Sequence, residues 1–184
     1  MKADFSRDTF DPDRQYSSVR LQQGRVQVDA DWNEGEDIVR HYDRTARIDE
    51  VGPSGAPLHD AGFALAIDGV PTVGPGRYYV DGILVDQADD DPVPLDDQPW
   101  LPGAPLPTSD GIYAAVLDVH ERLVTPLQDA DLREVALGGA DHAVRTQIVW
   151  QVRLIRVGDL GDDVDCDAIR DNPDWDEWVG KSSG

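Results

Sequence analysis

The chain has 184 residues, 40% of them hydrophobic, with 13 Pro and 17 Gly, which suits one turn-rich domain with a real core, or one domain and a tail. Its 37 acidic and 16 basic residues leave a formal net charge of −21, which repels nucleic acid and anionic membranes, because phosphate binding relies on Lys and Arg displacing counterions. The single cysteine, Cys166, excludes an internal disulfide scaffold, and no apolar run approaches membrane-spanning length.

In chain order, residues 1–23 read as a polar arm broken at Asp11-Pro12, with Phe5, Phe10 and Tyr16 as spaced apolar anchors. The N-terminal MKADFSRDTFDPDRQYS has no apolar core of the kind a secretion signal needs. The alternation of Val26 and Val28 in GRVQVD predicts a short strand over 24–29. A helix is expected from about Trp32 to Ile48: Asp31 and Glu34 form a capping-box pair, and Trp32, Val39, Tyr42 and Ala46 recur at helical spacing. Glu36 with Arg40, and Asp43 with Arg47, are acid-to-base pairs four apart, and Gly52-Pro53 ends the helix.

GFALAI (62–67) and GRYYVDGILVD (76–86) read as strands, with Gly82 marking a bulge or a tight hairpin. Residues 86–110 are a Pro/Asp-rich stretch, too broken for a central strand or a helix, tacked down by Trp100 and Leu101. GIYAAVLDVHERLV (111–124) is a strong strand closed by Pro126, and 129–137 is a short helix or turn. The clearest pattern is AVRTQIVWQVRLIRV (143–157). Val144, Thr146, Ile148, Trp150, Val152 and Leu154 fall on one face, and Arg145, Gln147, Gln151 and Arg153 on the other, with Val149 the exception, as in a strand with one wet face. An acidic tail, 158–184, follows, in which Trp175 and Trp178 share one helical turn. The expected fold is therefore α+β, mainly β: an antiparallel, sandwich-like core over 1–157 with one main helix (about 32–48), long irregular arms and the acidic C-terminal tail.

Candidate sites are few. Asp29, Asp31 and Asn33 alternate as oxygen ligands do in a calcium loop, but the glycine spacing is off and a helix competes. Asp163, Asp165 and Asp167, with Asp162, form a second oxygen-rich run. In both, solvated carboxylates capping a helix or lining a loop are the plainer reading, so no metal and no cofactor is expected. Asp118 and His120 share a strand face beside Glu121, a weak general-base arrangement. His41, His59 and His142 join no ligand spacing, Cys166 lies among carboxylates that blunt it as a nucleophile, and neither a phosphate loop nor a nucleophile elbow is present. No enzymatic activity is expected.

Three blocks carry a resemblance: MKADFSRDTFDPDRQYSSVRLQQGRVQVDADWNE (1–34), YYVDGILVD (78–86) and LDVHERLVTPLQDADLREVALGGADHAVRTQIVWQVRLI (117–155). Together they resemble an uncharacterised N-terminal domain family associated with phage-tail-like extracellular contractile injection systems. Such domains are encoded beside sheath, tube and baseplate genes, often head longer chains, and usually continue past a similar Ser-Ser-Gly. The resemblance implies a non-enzymatic structural or adaptor component associated with the tail, baseplate, spike or cargo. It would assemble in the cytoplasm and then form part of a released particle. Expected partners are other proteins of that particle, including further copies of this chain, and neither nucleic acid nor membrane insertion. Phe5, Phe10, Tyr16, Trp100, Trp175 and Trp178 are the expected contacts. The alternatives are a ligand- or cation-binding adhesin module and the N-terminal loading domain of an effector.

Overall fold

A computed structural model describes residues 3–173, 175 and 176. One long helix, α1 (Asp29–Val51), comes first. Ten strands follow: β1 (Ser54–Gly55), β2 (Leu65–Ala66), β3 (Thr72–Val73), β4 (Gly76–Val80), β5 (Ile83–Gln87), β6 (Val93–Pro94), β7 (Asp97–Gln98), β8 (Leu101–Pro102), β9 (Ile112–Val124) and β10 (Arg145–Gly158). A short helix, α2 (Cys166–Arg170), closes the order. Strands dominate, and β1–β4, β2–β3, β3–β6 and β7–β8 pair antiparallel, so the class is α+β, mainly β.

The strands form sheets in the orders β1-β4-β5, β2-β3-β6, β7-β8 and β9-β10. β4 and β5 are joined by Asp81-Gly82, both in the left-handed region (φ 47° and 71°), the geometry of a type I′ hairpin turn. The tight hairpin expected at Gly82 is therefore present. A Cβ on Gly82 would also stand 2.5 Å from the Arg44 carbonyl oxygen of α1, so glycine is required there twice over.

The chain divides into two compact units, cutting β9 after His120 and β10 after Ile148. The first comprises Met1–Ala61, Arg77–Val85 and Glu121–Ile148. Its buried apolar residues are Ala30, Ile38, Val85 and Val124. The second comprises Gly62–Gly76, Asp86–His120 and Val149–Gly184, with Val73, Leu95, Ala104, Val149, Trp150, Val152 and Ile155 buried. In this second unit Phe63 meets Trp150 edge-on, with ring centroids 5.1 Å apart.

Several sequence expectations need correction. Residues 24–28 form no strand: no partner strand is offered, Val26 and Val28 are exposed, and helix begins at Asp29. Helix α1 is longer than expected at both ends, and Val28, not Asp31, is the N-cap, without a side-chain cap bond. Glu34 accepts instead from Thr9 Oγ1 at 2.7 Å. In β10, Trp150 and Val152 are buried as the alternation requires, but Val149 and Ile155 on the opposite face are buried too, and Ile148 is exposed. The supposedly wet face is covered because Gln151 Nε2 donates to the Trp100 carbonyl, bringing the 97–102 segment across it. GFALAI is strand only over Leu65–Ala66, with Phe63 and Ala64 adding backbone bonds to Gly74, whereas the short helix or turn expected over 129–137 is present as two 3-10 turns, 130–132 and 135–137.

Candidate functional site

The helix expected to bury Trp32, Val39, Tyr42 and Ala46 buries a different face. At 3.6 residues per turn these four span an arc of about 80°. Yet Trp32 is 61% exposed, Val39 64% and Tyr42 51%, whereas Ile38 and Ala30, centred roughly a third of a turn away, are each 1% exposed. Small Ala30 and branched Ile38 face the core; the larger apolar side chains face solvent. From Trp32 to Ala46 the stripe runs about 21 Å, crossed by the arm residue Val19 at Gly35.

The N-terminal arm is clasped to this helix. Ser6 donates from both its backbone N–H and its hydroxyl to Asp29 (2.9 and 2.7 Å), Thr9 bonds Glu34, and Phe10 packs on His41 with centroids 5.7 Å apart. After a 3-10 turn at Pro12–Arg14 the arm returns, and Val19 lies 3.8 Å from where a Cβ on Gly35 would stand. Gly35 therefore admits Val19 onto the helix between Trp32 and Val39. Between the returning arm and the first turn of α1 lies an open recess of about 280 Å³, lined by Val19, Leu21 and Val26 with Arg20, Arg25 and Asp31. Leu21 and Val26 are exposed at this recess, so the arm extends the apolar surface at the start of the helix.

The electrostatics follow from this geometry. The two bonds from Ser6 hold the Asp29 carboxyl below its ordinary value. Burial pushes Asp37 above its own, assisted by the charges of Asp8, Glu121 and Glu36 and opposed by Arg40. Glu121 lies between Arg44 (2.7 Å) and Arg40 (3.6 Å), tying β9 to the helix flank. Arg47 is held by Asp43 (2.8 Å), by the Gly82 carbonyl, and over the Tyr79 ring. The helix arginines are thus engaged on one flank, away from the apolar stripe.

The residues singled out from the sequence fall as follows. Phe5 and Tyr16 are exposed; Phe10, Trp100 and Trp175 are half-buried; Trp178 lies outside the described residues. Asp29 and Asn33, four apart on α1, share a face, but Asp31 between them is turned roughly 160° or more from each, so the three do not surround one point. Asp165 caps α2 by accepting from the Ala168 N–H at 2.8 Å, Asp167 pairs with Arg170, and Asp163 is exposed. No group of three or more His, Cys, Asp or Glu is placed to hold a metal ion among the described residues. Glu121, offered as an acid–base partner of His120, is taken by its two arginines. No helix among the described residues is long and apolar enough to cross a membrane.

Sequence reasoning missed Trp32, Val39 and Tyr42 as surface residues. The signal was available: Ala30 and Ile38 define a second apolar direction on the same helix, and only one could face the core.

Residues 1–170 match a family of unknown function, DUF6519. The chain belongs to that family. No curated protein matches this DUF6519 chain, and no solved structure does.

Proposed function

We propose that this chain is a non-enzymatic structural or adaptor component of a phage-tail-like contractile injection particle, acting by docking. The observation that carries the docking is the apolar face of α1, left largely in solvent and extended by the arm residues Leu21 and Val26. A helix gains most of its stability by burying its apolar face, so large apolar side chains displayed outside that face have another use. The particle itself is supported by the resemblance of blocks 1–34, 78–86 and 117–155 to domains of such systems. The acidic surface keeps the free component soluble until it is covered.

The test is mass spectrometry of particles purified from a producing strain, with a strain lacking the gene as control. The chain is expected in intact particles, at a stoichiometry that survives density-gradient separation. Its absence from them removes the particle assignment.

A further inference from the structure

We infer that the exposed stripe of α1 receives an amphipathic helix of another protein, one whose apolar ridge is flanked by Lys and Arg. The inference rests on the docking reading above and adds the chemistry of the partner. Trp32, Val39 and Tyr42 stand at helical spacing along the 23-residue α1, with Val19 already seated over Gly35 between the first two, so what fits along the rest of the stripe is a second ridge of the same periodicity. Val19 over Gly35 supplies one wall of the seat.

Charge then selects among helices. Glu36 and Glu50 border the stripe on one side, where Asp43 is paired with Arg47, and Asp31 and Asp49 border it on the other. The nearest helix cations are committed elsewhere: Arg40 and Arg44 to Glu121, Arg47 to Asp43 and the Gly82 carbonyl. Arg20 and Arg25 stand at one end only, beside the recess, and leave the remaining length acidic. A second copy of this chain would bring a like-charged rim against this one, on a molecule of net charge −21. A Lys/Arg-flanked ridge meets the same rim with opposite charge and covers the indole and phenol rings that bind best when desolvated.

The probe is a fluorescein-labelled synthetic helix with a leucine ridge flanked by lysines, compared with the same ridge flanked by glutamates, each titrated with the whole chain and read by fluorescence anisotropy. The lysine-flanked peptide is expected to bind and the glutamate-flanked one not to. In the combined variant Trp32→Ala, Val39→Ala, Tyr42→Ala the Kd of the lysine peptide should rise roughly tenfold or more, with an unchanged melting temperature. Val39→Lys, at the most exposed of the three positions, is a milder variant expected to weaken the same peptide and spare the fold. Equal binding by parent and variants shows attraction to charge alone and overturns the inference, as does failure of the parent to bind. A dimer of the free chain that the same substitutions dissolve also overturns it, in favour of a second copy. Particle incorporation is scored separately. A chain found in particles that ignores the peptide sinks only this inference, and a chain that binds the peptide but is missing from particles sinks only the particle assignment.

Discussion

Gln98, a polar side chain only 1% exposed, is held from three sides. Its amide nitrogen donates to the carbonyls of Leu95 (2.7 Å) and Val152 (2.9 Å), and its amide oxygen accepts from the Val152 N–H (2.6 Å). One side chain thus does for Val152 what the backbone of a paired strand would do, satisfying both of its backbone groups. Gln87 is a smaller version, accepting from the Asp89 N–H and donating to the Asp91 carbonyl. Gln98→Leu keeps the volume but strands three buried backbone groups, and a buried group without a partner costs far more than a made bond gains. It should destabilise the protein by about 3 kcal/mol in urea denaturation, against about 1 kcal/mol for Gln87→Leu, whose partners lie in an exposed loop within reach of water. Equal costs would show that Gln98 is replaceable by water. Nothing in the local sequence distinguishes Gln98 from any other glutamine, because its partner Val152 is 54 residues away.

At the scale of elements, what the sequence made legible was what short-range chemistry decides. Long β9 and β10 show their period, the Asp81-Gly82 turn shows its positive φ, and Gly52 marks the end of α1, its N–H reaching the Ile48 carbonyl at 2.8 Å. Two-residue strands such as β3, held between Leu65–Ala66 and Val93–Pro94, have no period to read; they exist because distant segments pair. The direction in which α1 faces was likewise undecided by its own residues, since it carries two apolar stripes and the core takes the smaller. The exposed stripe was therefore visible as a pattern but not as a surface. The arm that borders it is held at Asp29, and this gives a pH signature. The folded carboxyl titrates below its ordinary value of 3.8, so the clasp contributes fully above that value and is lost as pH falls through the lowered folded value. The Ser6 amide resonance, followed by NMR, should therefore shift with an apparent pKa below 3.8, and Ser6→Ala should return Asp29 toward that ordinary value. Titration of Asp29 at 3.8 or above in the parent would mean that the arm is not held there.

For the whole molecule, 37 acidic residues against 16 basic ones make repulsion the dominant long-range force. The two kinds of charge contact respond to salt with opposite sign. Close pairs such as Arg44–Glu121, at the surface and only partly screened, are each worth well under 1 kcal/mol and weaken slightly as salt is added. The many like-charged neighbours without a cation beside them are relieved by the same screening, over a distance that shrinks to about 8 Å at physiological ionic strength. Repulsion is spread over far more residues than attraction, so the free chain should gain roughly 1 kcal/mol of stability between about 20 and 300 mM NaCl. Urea is the right denaturant for this measurement because it adds no ions of its own, and the midpoint should rise with little change in slope. A docked Lys/Arg-flanked helix reverses the sign, since its attraction to the acidic rim is screened by the same salt. Folding strengthened and docking weakened along one salt series is the combined expectation. A fold that loses stability with added salt would mean that native ion pairs outweigh the repulsion, and the acidic surface would then need no partner to offset it.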